Sequence, residues 1–225
     1  MRPENPQSII IKNEFYPSGL TEGKVFDHYI KYKKQILDEV GNRNLVFFIV
    51  PNINDIVIRR KINNKPIKIN SQNYETIFTG RTLSIAVEMD DNTDLIVIDI
   101  DPGPGTKEVQ LKNTVTELLN SSLKNISKKE RVISTARSYH VYFYLKKSMN
   151  IETANQVCKK MLSADFYDKY DFGGLPPKGN NIKLDLAVTR NKGSRVVPYS
   201  LCRNGLMSMD VTKNYLMFNR KKAII

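Results

Sequence analysis

DLIVIDIDP, residues Asp94–Pro102, is the stretch from which the rest of the chain can be read. Its apolar run, Leu95–Ile98, has the length of a buried strand and is too short for a helix. The run leads straight into Asp99 and Asp101, two carboxylates separated by one residue. On an extended strand, positions i and i+2 share a face, so both acids project into the same space at the strand's end. Carboxylates held that closely repel one another unless cations neutralise them, and hard oxygen ligands suit Mg2+ or Mn2+. The pattern predicts a divalent-metal site. In the simpler alternative, one aspartate caps the turn before Pro102 and the other is solvated.

Downstream of this strand the turn PGPG leads to a helix expected from about Thr106 to Leu123, with Leu111, Val115, Leu118 and Leu119 as its apolar face. VISTA, a turn at Arg137 and Ser138, and the alternating strand HVYFYL follow. A helix from Ile151 to about Ser163 then turns Ala154, Val157, Cys158, Met161 and Leu162 inward. The glycine- and proline-rich loop DFGGLPPKGNN leads into the strand IKLDLAV, the basic turn TRNKGSR and VVPYSL. Upstream, TEGKVFDHYIKYKKQILDEVG reads as one helix capped by Thr21 and stopped at Gly41. Phe26, Tyr29, Ile36, Leu37 and Val40 form its buried stripe, with Lys31, Lys34 and Asp38 on the solvated face. LVFFIV, DIVIRR and RTLSIAV read as an antiparallel patch. Strands and helices are thus mixed along the whole chain, with no internal repeat and no linker.

The chain has 225 residues, 40% apolar and 26% charged, enough for one large domain or two closely packed halves. No apolar run approaches the roughly 20 residues of a membrane-spanning helix, and MRPENPQS resembles neither a secretory signal nor a transit peptide. An intracellular protein without a membrane partner is expected, in the cytoplasm, a nucleoid or a viral replication site. Cys158 and Cys202 form no CxxC pair, so no structural zinc is expected. Thirty-five Lys and Arg against 23 Asp and Glu give a net charge of +12. Such a balance favours a polyanion, nucleic acid first and an anionic membrane surface second, the plain alternative being an inert basic surface in a chain rich in Lys, Asn and Ile. The densest positive cluster, Arg59, Arg60 and Lys61 with Lys65 and Lys68, suits contact with phosphates or, more simply, a solvated hairpin edge.

Two further groups fall in with the aspartate pair. STARSYHVYFYL, Ser134–Leu145, gathers a hydroxyl, a guanidinium and an imidazole around one turn, and Ser134, Arg137 and His140 would suit the oxygens of a triphosphate. Asp185 sits inside the apolar alternation of IKLDLAV, where a carboxylate is costly without a cation. It either completes the metal site or pairs with Lys183 or a nearby arginine. A haloacid-dehalogenase-like phosphatase would need Thr or Val two residues after the second aspartate, where Gly103 stands. A glycosidase pair would have to flank a sugar from opposite sides rather than share a strand face.

In order and spacing, the DxD of Asp99 and Asp101, the Ser-containing turn ending in His140 and the later Asp185 resemble the archaeo-eukaryotic primase superfamily, from about Leu95 to Met209. DLAVTRNKGSRVVPYSL is similar to primase small subunits in Val188, Thr189 and Ser200, while DIDPGPG and Tyr199-Ser200 are similar to ligase D polymerase domains. The resemblance implies an α+β (mixed α/β) catalytic core, with a mixed, mostly antiparallel sheet flanked by helices and the site in a cleft between two sub-modules, about 1–90 and 91–225. It implies template-dependent nucleotidyl transfer, as a primase or primase-polymerase, with an end-joining or gap-filling repair polymerase as the alternative. A non-catalytic nucleic-acid-binding replication subunit is the reading from another class. Asp99, Asp101 and Asp185 would hold two Mg2+ or Mn2+ ions. Ser134, Arg137, His140, Arg195 and Ser200 would bind the nucleotide, and Lys24 with Arg59, Arg60 and Lys61 the DNA. Template or primer DNA and an NTP or dNTP are the implied partners, with a primase large subunit, a helicase or a ligase as further ones. The chain departs from the family at Glu22, where ligase D has a lysine; at Ala136 and Ser138, where glycines are usual; and at Cys202, where His or Arg is usual. The cysteine-rich zinc element of primase subunits is missing.

Overall fold

The structure is a computed structural model and describes residues 21–52, 55–78, 81–89, 91–135, 138–162, 164–172, 182–186, 194–202 and 207–215. In chain order its first elements are α1 (Glu22–Lys31), α2 (Lys33–Val40), β1 (Leu45–Asn52), β2 (Asp55–Arg59), β3 (Lys61–Ile62), β4 (Lys65–Pro66), α3 (Tyr74–Ile77) and β5 (Thr82–Glu88). There follow β6 (Asn92–Pro102), α4 (Glu108–Leu119), β7 (Ser127–Ser134), β8 (Tyr139–Asn150), α5 (Ile151–Met161), α6 (Ala164–Lys169), β9 (Asp171–Phe172) and β10 (Ile182–Leu186). The last are β11 (Ser194–Val196) and β12 (Met209–Asp210). The fold is α+β, with mixed, mostly antiparallel sheets flanked by helices, as expected. The chain divides into two compact units, Met1–Glu88 with Ser194–Ser208, and Met89–Gly193 with Met209–Ile225. The segment 194–208 belongs to the first unit although it follows the second in sequence, a detour that apolar periodicity does not encode.

In the first unit Thr21 caps α1, accepting from the Lys24 N–H, with N to Oγ1 at 3.3 Å, and Gly41 ends α2 at φ 54° and ψ −134°, a combination open mainly to glycine. The expected single helix is bent at Tyr32, whose φ of −102° and ψ of 16° leave the helical range. The hydrogen-bond ladder continues through the bend, from Tyr32 N–H to the His28 carbonyl and from Ile36 N–H to the Tyr32 carbonyl. Val25, Tyr29, Ile36 and Val40 are buried against Leu45 and Phe47 of β1 and Leu83, Ile85 and Val87 of β5, each strand presenting alternate residues. Leu37, expected inside, is only partly buried, and Val25 takes a place in the stripe. The sheet order is β11-β5-β1-β2, antiparallel throughout. Asn63 and Asn64, at φ 50° and 61°, form the two-residue turn between β3 and β4, a conformation asparagine tolerates well.

The second unit is built on a six-stranded sheet ordered β12-β7-β8-β6-β10-β9, in which only β9 and β10 run parallel. Leu95–Ile98 are buried in β6, as the sequence predicts. The Tyr139 hydroxyl donates to the Glu108 carboxylate on α4, so α4 covers the face bearing Tyr139, Val141, Ile98 and Ile100. Leu111, Val115, Leu118 and Leu119 are its buried side, as expected, although α4 stops at Leu119 and a 3-10 turn takes over at Ser122–Asn125. Asn150 caps α5 by accepting from the Thr153 N–H at 2.7 Å; Ala154, Cys158 and Leu162 are buried, while Val157 and Met161 are half-buried. Among the described residues, no helix is long and apolar enough to cross a membrane.

Candidate active site

β6 lies between β8 and β10, and the register of the three strands fixes which side chains meet. Asp99 pairs with His140 on β8 and with Asp185 on β10, so these three form a row across the sheet. Asp101, two residues along the same strand, pairs with Lys183, which is itself two residues from Asp185. Strand alternation puts all five ionisable side chains on one face, opposite the face that α4 covers.

His140 Nε2 lies 3.3 Å from Asp99 Oδ1. Lys183 Nζ lies 3.7 Å from Asp101 Oδ2 and 3.6 Å from Asp185 Oδ2, separations of charge contacts rather than hydrogen bonds. The Lys183 side chain is 9% exposed, against 29% for Asp99 and 39% for Asp101. Burial first, and then the charge of Asp99, push the Asp101 carboxyl above the ordinary carboxylate range; Lys183 and His140 pull it back only in part, and Asp185 adds to the rise. Asp99 Oδ1 and His140 Nδ1 are buried and make no hydrogen bond.

Three carboxylates with one ammonium among them leave an excess of two negative charges on this face. The donor set is all oxygen, partly buried, and contains a carboxylate oxygen with no hydrogen-bond donor, which fits a hard divalent cation. Among the described residues, no three His, Cys, Asp or Glu side chains are grouped as a ready-made metal site. The ammonium of Lys183 stands between Asp101 and Asp185. The ion pair that the sequence allows between Asp185 and Lys183 is therefore present, and it extends to Asp101.

The remaining expected residues are spread more widely. Ser134 pairs with Tyr139, which puts it on the face opposite His140, where its hydroxyl donates to the Thr135 carbonyl at 3.3 Å. Ser138, in contrast, stands two residues before His140, at the entry to β8. Its hydroxyl lies 2.6 Å from that of Thr135, and Thr135 N–H bonds to the Ser138 carbonyl at 2.9 Å, closing the hairpin. Thr135 is not among the expected residues, and Ser138 is expected only as part of the turn. The i, i+2 spacing that joins Asp99 to Asp101 also joins Ser138 to His140. Arg137 lies outside the described residues.

Arg195 and Ser200 belong to the first unit. Arg195 is 2% exposed on β11, paired with Val87. Ser200 is fully buried, and its hydroxyl oxygen accepts from the Ile85 N–H at 2.8 Å beside the Tyr29 hydroxyl at 3.2 Å. The turn before it has Tyr199 at φ 70°, where glycine is the usual residue, and the Tyr199 carbonyl accepts from His28 Nε2 at 2.8 Å. Of the expected DNA-facing set, Lys24, Arg59 and Lys61 are exposed, while Arg60 is bound to Glu88 at 2.6 Å. Glu22 is buried against Arg81 at 2.9 Å and fixes the start of α1. Cys202 is half-buried.

The chain is thus α+β in two units, one bearing an acidic cross-strand row on a six-stranded sheet. Among solved structures it is similar to the polymerase domain of Mycobacterium tuberculosis ligase D in complex with DNA, with a TM-score of 0.64 over 89% of this chain and 83% of that one. The sequences are 16% identical, so the likeness is one of fold, and it agrees with the resemblance read from the motifs. No protein-family model and no curated protein sequence matches the chain.

Proposed function

We propose that this protein is a template-dependent nucleotidyltransferase that extends a nucleic-acid strand, with its reaction centre on the face formed by β6, β8 and β10. The observation that carries this reading is the row Asp185, Asp99 and His140 with Asp101 beside it, in a chain with the fold of a polymerase domain. The net charge of +12 suits a polyanionic template.

Asp99, Asp101 and Asp185 would hold divalent ions, Mg2+ or Mn2+, two of them when the nucleotide is in place. Such ions supply Lewis-acid charge at the attacking hydroxyl and the departing pyrophosphate. The protein's own part is positional. The sheet holds three carboxylates at fixed register, so no loop has to be ordered before the reacting groups align. His140, braced by Asp99, donates to a phosphate oxygen, and the Thr135 and Ser138 hydroxyls offer further donors at the end of the same hairpin. Ser134, Arg137, Arg195 and Ser200 are assigned to the nucleotide on the motif resemblance, with Ser200 acting through the turn it anchors. Exposed Lys24, Arg59 and Lys61 take the DNA backbone, with Arg60 between them.

Extension of a labelled primer with Mg2+ or Mn2+ tests the reading. Incorporation is expected, and it is lost in Asp99→Ala, Asp101→Ala and Asp185→Ala; full activity of Asp99→Ala would overturn the assignment. Unprimed and gapped templates, offered with NTPs and dNTPs, separate a primase from an end-joining or gap-filling repair polymerase. The second role gains weight from a structural neighbour that is a ligase D polymerase domain in complex with DNA. DNA binding without incorporation on any template would identify a non-catalytic replication subunit. A primase large subunit, a helicase or a ligase would be the partner protein in these settings, inside the cell.

A further inference from the structure

β10 carries a lysine where a buried strand would ordinarily carry an apolar residue. Lys183 stands across from Asp101 in the β6 register and beside Asp171 in the β9 register, with Asp185 two residues on along the same face. Its side chain is 9% exposed, so the ammonium is largely shielded from bulk water. A buried ammonium is stable only against negative charge, and Nζ lies 3.7 Å from one carboxylate and 3.6 Å from another on a different strand. The lysine is therefore held among the carboxylates assigned above to metal binding.

We propose that Lys183 is a tethered cation that takes the place of one divalent ion among Asp99, Asp101 and Asp185, so that the site without nucleotide binds one divalent ion rather than two. This rests on the metal-binding reading above. With exposed Asp171 screened by solvent, the three carboxylates of the row and one ammonium leave two negative charges, and a single divalent ion cancels them. A second ion would bring excess positive charge into a partly buried site beside a fixed ammonium, which electrostatics disfavours until a triphosphate adds its negative charge. The first ion is directed to Asp99, which has a buried oxygen without a hydrogen bond, whereas Asp101 and Asp185 both face Lys183.

Mn2+ binding to the full chain, followed without nucleotide by electron paramagnetic resonance and calorimetry, tests this. The wild-type protein is expected to bind one ion. Lys183→Met should bind two, the second with affinity raised about tenfold or more over any residual wild-type site, and Lys183→Arg should stay at one. Two tight ions in the wild-type protein, or identical binding by wild type and Lys183→Met, would overturn the proposal. Where Lys183→Met folds poorly, two tight ions in the wild-type protein still overturn the proposal. Binding that is lost in Asp99→Ala but unchanged in Lys183→Met sinks the lysine alone. Absence of Mn2+ binding by wild type, with and without nucleotide, sinks the metal-binding reading with it.

Discussion

Asp99 and Asp185 face one another directly across β6 and β10, two like charges where sheet neighbours usually attract. Such an arrangement costs local stability. Asp99→Asn is expected to abolish nucleotide incorporation while raising the stability of the protein in chelator by about 0.2–1 kcal/mol, the usual cost of opposed like charges. Thermal unfolding with and without Mn2+ checks it. The variant should melt higher than wild type in chelator and gain less from the ion.

Ser200 gives a prediction of a different kind, because its hydroxyl accepts from a strand N–H in a fully buried position. Ser200→Ala leaves the Ile85 N–H without that partner and should cost about 1–3 kcal/mol in urea unfolding. A change in nucleotide affinity at unchanged stability would show instead that the hydroxyl acts on a ligand.

His28 sets a pH dependence. Desolvation by burial is the largest influence and holds its imidazole below the ordinary 6.5, with the Lys31 charge adding to the effect and the Tyr199 carbonyl opposing it. Because the folded value is the depressed one, the unfolded chain binds the extra proton first as pH falls below 6.5. Stability is therefore greatest above 6.5 and declines from there towards the lower folded value. Urea midpoints between about pH 5 and pH 7.5 should rise with pH, and His28→Gln should flatten this part of the curve.

Cys158 reports on the packing of α5. Its side chain is fully buried and burial pushes the thiol up to about 12, so almost no thiolate exists near neutral pH. Iodoacetamide should leave Cys158 unmodified in the native protein and label it on unfolding, as read by peptide mass. Rapid native labelling would show that α5 does not pack on its sheet as described.

Much of this architecture is legible in the sequence because period-2 and period-3.6 patterns survive burial. Asp99 and Asp101 announce a shared face by spacing alone, and Leu111, Val115, Leu118 and Leu119 mark the buried side of α4. What spacing within one strand leaves open is register between strands. Nothing local to IKLDLAV places Lys183 opposite Asp101, and nothing in STARSYH says that Ser134 lies on the far side of the hairpin from His140. Once the hairpin closes on Thr135 and Ser138, parity decides it. The bend at Tyr32 was illegible for another reason: every residue around it is a competent helix former. The ring of Tyr32 is stacked on Tyr199, 167 positions away in sequence, at 5.5 Å.

The return of residues 194–208 to the first unit has a consequence for how the protein is made. Val197 and Leu201 complete that unit's apolar core, and β11 completes its sheet, so a ribosome that has delivered only residues 1–88 has delivered an unfinished unit. The second unit must likewise wait for β12 at Met209–Asp210. The first unit is completed only when residues 194–208 have emerged, and β12 follows directly behind them, so residues 1–88 wait unfinished while most of the second unit is made. For the same reason, cutting the gene near codon 88 yields no separable half.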